Sequence, residues 1–204
     1  MRASHPAWFC FDMVEGFFIS TGVVALAEIG DKTQLLALLL AAKFRKPWPI
    51  VWGILAATVC NHALAGAVGS WIARAVDPTW MRWTLGASFI AMAAWTLVPD
   101  KYEEQEAAHP RFGVFVATAV AFFLVEMGDK TQVATVVLAA KYSSLFAVVA
   151  GTTFGMMLAN VPAVWLGEVA AAKLPLKLVR GVAAAIFFIL GALALIAPNF
   201  SLGA

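Results

Sequence analysis

The stretch ALAEIGDKTQLLALLLAAK, residues 25–43, drops a glutamate, an aspartate and a lysine into an otherwise apolar run. At an offset of 98 residues the interruption recurs in LVEMGDKTQVATVVLAAK, residues 124–141. Before Glu28 the apolar stretch extends back only to about Gly16, and after Gln34 it ends at Lys43. Neither part reaches the roughly 20 residues a helix needs to cross a bilayer, but joined through the motif they do. The motif is therefore expected at membrane depth, or in a re-entrant segment buried in protein, and not in a wet surface loop. A charge at the bilayer centre costs about 2.5–3.5 kcal/mol even on the gentler insertion scales. Glu28, Asp31, Lys32, Glu126, Asp129 and Lys130 would together cost on the order of 15–20 kcal/mol if each stood alone. Such charges must pair, and a pair of such clusters calls for a function.

Composition agrees with a membrane setting. Of the 204 residues 62% are hydrophobic and only 13% charged, about half the charged share of soluble domains. An outer-membrane barrel would show short alternating strands instead of long apolar runs. The net charge of +2 does not suggest nucleic acid as a partner. Cys10 and Cys60 match neither a zinc nor a disulfide pattern and read as ordinary thiols. Ala25-Leu26-Ala27 resembles a signal cleavage site, but the apolar pattern resumes directly after the charged cluster, and cleavage would remove the counterpart of a segment that recurs intact.

The fold class that follows is an all-α polytopic membrane protein. Six transmembrane helices are expected at about 15–43, 49–73, 80–98, 112–141, 145–171 and 176–197. Residues 15–98 form the first three-helix repeat and 112–198 the second, with tails at 1–14 and 199–204 and the hydrophilic, acidic linker PDKYEEQEAAHPR at 99–111. Besides the motifs, Ala41-Ala42-Lys43 matches Ala139-Ala140-Lys141, Gly53 matches Gly151, Gly69 matches Gly167 and Phe89 matches Phe187, all at the same offset. An odd number of helices per half makes the second half enter the membrane inverted, the arrangement in which transporters place their substrate sites at the midplane. Lys43, Arg45, Lys46, Lys101, Arg111, Lys173, Lys177 and Arg180 fall on one side, against Arg2, Arg74, Arg82 and Lys141 on the other. The positive-inside rule then puts both termini outside and the linker in the cytoplasm.

Within each motif, residues three and four apart share a helix face, so Glu28, Asp31 and Lys32 converge, as do their counterparts. Gly30 and Gly128 allow the helix to unwind locally, which frees carbonyl oxygens as broken transporter helices do. Four carboxylates and two ammonium groups sum to −2, the charge that one divalent cation cancels. Two protons on the same carboxylates cancel it equally well, and that competition is the minimum requirement for antiport. Carboxylate, the hydroxyls of Thr33 and Thr131 and the amide oxygens of Gln34 and Gln132 form a hard oxygen set suited to Mn²⁺, Ca²⁺ or Mg²⁺. An ionic lock between the halves is the structural alternative, but buried ion pairs are seldom better than apolar packing.

Two copies of E-x-G-D-K-T, one per three-helix half and separated by a short acidic linker, resemble the small divalent-cation/proton exchanger family. This family includes bacterial manganese exporters of the MneA type and Golgi calcium/manganese transporters. The resemblance covers the chain from about residue 14 and implies that Glu28, Asp31, Glu126 and Asp129 are cation ligands. It implies that Thr33, Thr131, Gln34 and Gln132 complete or support the shell, and that a bacterial member exports Mn²⁺ in exchange for protons. Divalent metal and protons would be the substrates and the lipid bilayer the surroundings, with no further cofactor. The first residues lack the Arg- and Ser-rich character of organelle targeting segments, which favours a bacterial inner membrane.

Lys32 and Lys130 are expected to balance the acidic site while no ion occupies it. Asn61, His62 and Asn160 lie mid-segment, either as interhelical hydrogen-bonding groups or around the site and on a proton path, where histidine's titration range would be useful. Glu168 is expected near an interface. Six of the eight tryptophans, Trp48, Trp52, Trp71, Trp80, Trp83 and Trp95, fall near proposed helix ends as aromatic belts do. Ca²⁺/H⁺ antiport and export of organic cations such as basic amino acids remain open on the same pocket. A membrane-embedded metalloenzyme lacks a candidate nucleophile here.

Overall fold

The computed structural model describes residues 6–98, 113–166 and 176–196, and every regular element among them is an α-helix. In chain order these are α1 (Pro6–Glu28), α2 (Lys32–Phe44), α3 (Pro47–Ala75), α4 (Pro78–Thr96), α5 (Gly113–Glu126), α6 (Lys130–Lys141), α7 (Leu145–Leu166) and α8 (Leu176–Ile196). Pro47 and Pro78 open α3 and α4, where proline's fixed φ suits the first turn and its missing N–H costs nothing. The expectations placed on the linker 99–111, on Glu168 and on the tail 199–204 lie outside the described residues.

Each motif segment, expected as one span that can unwind locally at its glycine, is two helices separated at that glycine. The chain leaves α1 after Glu28 and α5 after Glu126, with Gly30 at φ +77° and Gly128 at φ +79°, a region glycine enters without a Cβ penalty. Asp31 and Asp129 then stand extended at the N-caps of α2 and α6, with φ −82°, ψ 167° and φ −80°, ψ 167°. The two breaks are copies of each other to within a few degrees.

A second difference concerns the start of the chain. α1 begins at Pro6, inside the stretch expected as a tail, and Cys10–Glu28 is by itself long and apolar enough to cross a membrane. The expected span began at about residue 15, and the longer helix takes in Asp12 as well as Glu15, both met by tertiary partners. Asp12 accepts from the Ser143 backbone N–H at 3.1 Å and from the Ser143 hydroxyl, and Glu15 accepts from the Tyr142 hydroxyl at 3.1 Å. Burial, and then the neighbouring Glu15 carboxylate, hold the Tyr142 phenol above its usual range, so it remains a donor. Pro47–Ala75 and Leu145–Trp165 also meet the length and apolarity of a span, while α5 and Arg180–Ile196 are apolar but shorter.

The two halves interleave. α1 packs on α7 and α5 on α3, which are the same contact with the halves exchanged, and α2 on α7 and α6 on α3 are another such pair. The close approaches are exchanged copies too. A Cβ on Gly53 would meet the Phe115 carbonyl oxygen at 2.8 Å, and one on Gly151 would meet that of Phe17 at 2.4 Å. α4 and α8 pack on each other, with the rings of Phe89 and Phe187, which share the offset, 6.3 Å apart. One core joins α1, α4, α6, α7 and α8; a second joins α2, α3, α5 and α7. The six tryptophans named above are all exposed.

Candidate cation site

The two breaks meet at the centre of the molecule, each held from within its own motif. Gln34 accepts from the Gly30 N–H at 2.9 Å and Gln132 from the Gly128 N–H at 2.7 Å. The amide oxygen thus takes up a donor that the helix has lost at its break. Gln34 also donates to the Ala159 carbonyl at 3.0 Å, tying the first break to α7. Each glutamine oxygen therefore already serves the backbone, with one lone pair left for a ligand.

The charges pair across the halves. Lys32 Nζ lies 2.8 Å from Asp129 Oδ1, and Lys130 Nζ lies 2.5 Å from Asp31 Oδ1. All four residues flank a break, so the broken backbone brings each lysine beside the other motif's aspartate. Glu28, at the last turn of α1, is fully buried and neither of its carboxylate oxygens has a hydrogen-bond partner. Glu126 is equally buried but accepts from the Thr131 hydroxyl, while the matching Thr33 hydroxyl is buried without a partner.

As they stand, no three histidine, cysteine or acidic side chains among the described residues are gathered to hold one metal ion. The lysines occupy the aspartates instead. What the arrangement brings together is a buried cluster of four carboxylates and two ammonium groups, drawn from both motifs.

Of the other residues singled out, Asn61 donates to the Phe123 carbonyl at 3.1 Å, linking α3 to α5. Asn160 donates to the Met156 carbonyl one turn back, also at 3.1 Å. The amide oxygens of both, and both ring nitrogens of His62, are buried without hydrogen-bond partners. One neighbour of the site was missed. Arg180, on the first turns of α8, donates to the Gly30 carbonyl at 3.3 Å. Read from sequence it counted only toward membrane orientation. The signal that would have found it is its match, at the same offset of 98, to Arg82.

Comparison with known proteins shows the family. The profile of the family described as divalent cation/proton antiporter GDT1 matches residues 16–104 and 114–200. A Vibrio cholerae protein named "Putative manganese exporter" is 51% identical over 173 residues, covering 84% of this chain and 86% of that protein. A GDT1-like protein of Synechocystis is 27% identical over 87% of this chain and 95% of its own length. GDT1-like protein 4 of Oryza sativa subsp. indica is also 27% identical, over 79% of this chain and 66% of its own length. No solved structure gives a significant match. By the profile match across both halves, the chain belongs to the divalent cation/proton antiporter GDT1 family.

Proposed function

We propose that this protein exports Mn²⁺ from the cytoplasm of a bacterium in exchange for protons, through one midplane site to which both motifs contribute. Six spans in two inverted repeats carry the site, with both termini on the periplasmic side. The observation that carries this reading is the reciprocal pairing of Lys32 with Asp129 and Lys130 with Asp31 around the unpartnered Glu28. In the second half, helix lengths support the depth. α5 has 14 residues and α6 has 12, about 21 and 18 Å at 1.5 Å per residue. Each is too short for a hydrocarbon core of about 30 Å, while the two in line are long enough. The exchanged contacts of α1 with α7 and α5 with α3 support the inverted repeat.

Glu28, Asp31, Glu126 and Asp129 bind the ion; Thr33, Thr131, Gln34 and Gln132 complete or brace the shell. Lys32 and Lys130 move aside as the ion enters and return as it leaves, so the aspartates are never left as bare buried charges. Protons on the glutamates discharge the pocket for the return step. Export by the similar V. cholerae protein, as its name has it, fits Mn²⁺ as the cargo.

The test is ⁵⁴Mn²⁺ uptake into inside-out vesicles with an acid interior. Glu28→Gln and Glu126→Gln are each expected to abolish uptake while remaining in the membrane at normal abundance. Wild-type uptake by both variants overturns the site. Excess Ca²⁺ in the same assay reads the alternative cargo directly.

A further inference from the structure

The two halves match in sequence but not in exposure, and the differences lie along one path. On α2, Lys32, Leu35, Leu39, Ala42 and Lys43 share a face that leads from the site to the end of the helix. The Lys32 side chain is 25% exposed, Leu35 45% and Leu39 39%, and Ala42 and Lys43 are exposed as well. On α6 the same positions are less exposed: the Lys130 side chain is 3% exposed and Val137 5%, Ala140 is buried, and Val133 and Lys141 are partly buried. The cover is α4, whose Met81 and Leu85 share a core with Val137 and Ala140, whereas among the described residues none of α4 or α8 enters the core built on α2. α4 packs on α6 and α8 on α1, while the exchanged contacts, α8 on α2 and α4 on α5, are at most marginal. The molecule is thus open along α2 and closed along α6.

In this asymmetric state the two matching arginines behave differently. Arg180 donates to the carbonyl of Gly30 in the first break. Arg82 lies 5.5 Å from the ring of Trp83, and its buried Nε has no hydrogen-bond partner. We propose that Arg180 and Arg82 are paired positioning residues of the transport cycle. Arg180 holds the first break while the site is open along α2, and Arg82 takes the equivalent hold on the Gly128 carbonyl when α4 and α8 rock over and the site opens along α6. The physical reason is that each break takes a carbonyl out of the helical hydrogen-bond ladder, and a guanidinium is a donor that is always charged. Because the arginines ride on the α4–α8 pair, only one fits its break at a time. This rests on the transport reading above, and with the proposed orientation the state described here is open to the cytoplasm.

The test reads conformation and needs no transport, so its failure is separable from failure of the Mn²⁺ assignment. In full-length protein with Cys10 and Cys60, both free and exposed, replaced by serine, Leu39→Cys and Val137→Cys are labelled separately with a hydrophilic maleimide in membranes. Removing Arg180 (Arg180→Ala) is expected to slow labelling at Leu39→Cys and raise it at Val137→Cys. The ratio should shift by about tenfold or more, the scale of one charge-assisted hydrogen bond. Arg82→Ala is expected to shift it in the opposite direction, and Arg180→Lys to restore much of the original ratio. Because Arg180→Ala and Arg82→Ala must move the two sites in opposite senses, general unfolding, which raises labelling at both, counts against the proposal. Unchanged ratios overturn it, as does a Leu39→Cys that is unreactive in every background because lipid covers it.

Discussion

At the scale of single residues, the two ion pairs are alike in geometry and unlike in burial. Lys130 and Asp31 are sealed, whereas the Lys32 side chain is a quarter exposed. Removing one partner of a buried pair strands the other's charge and costs about 3–5 kcal/mol, while replacing both is far milder. Lys130→Met is therefore expected to lower the unfolding temperature in detergent well below that of Lys32→Met, with the Asp31→Asn/Lys130→Met double variant recovering most of the loss. Equal losses for the two lysine variants would mean that the asymmetry of the pairs has no energetic weight. The glycines of the breaks carry a different cost. At φ +77° and +79°, Gly30→Ala and Gly128→Ala each add about 1–2 kcal/mol of backbone strain.

At the scale of helices, the close crossings depend on positions without a side chain. A Cβ on Gly151 falls 2.4 Å from a backbone oxygen of α1, and backbone cannot swing aside as a side chain would. Gly151→Val is expected to cost about 1–3 kcal/mol or more by overpacking, and Gly53→Val at the exchanged crossing a comparable amount. Gly22→Ala is the control, since nothing lies within 4 Å of its added Cβ and alanine favours a helix by up to about 1 kcal/mol. Chemical unfolding in detergent ranks the three, and a Gly151→Val protein as stable as Gly22→Ala would mean that the α1–α7 crossing relaxes freely.

For the whole molecule, coupling of cation to proton makes a claim about sign. In the proposed exchange, protons reload the carboxylates from the side to which Mn²⁺ is delivered, so an acid interior is expected to drive Mn²⁺ into inside-out vesicles and an alkaline interior to suppress it. A protonophore should collapse the acid-driven uptake, and uptake indifferent to the imposed gradient would leave a cation carrier without exchange. Between its two end states the carrier needs only a change of partners by the α4–α8 pair, because every other major interhelical contact has its exchanged twin in place.

Composition and the doubled motif were enough to establish an all-helical membrane protein and the family to which it belongs. They also marked Glu28, Asp31, Lys32 and their counterparts as the residues to explain, because charge in an apolar run is costly wherever the chain goes. Periodicity did not reveal that Glu28 ends one helix and Lys32 begins another, since an unbroken and a broken helix bury the same apolar residues. Nor did it show that α1 reaches back through Asp12 and Glu15, whose charges are met by residues more than a hundred positions away. Which lysine faces which aspartate, the hydrogen bond from Arg180 to the Gly30 carbonyl, and the greater exposure of α2 than of α6 were decided by tertiary structure alone. Sequence repeats the two halves nearly in register, but one molecule occupies one conformation at a time, and that conformation breaks the symmetry.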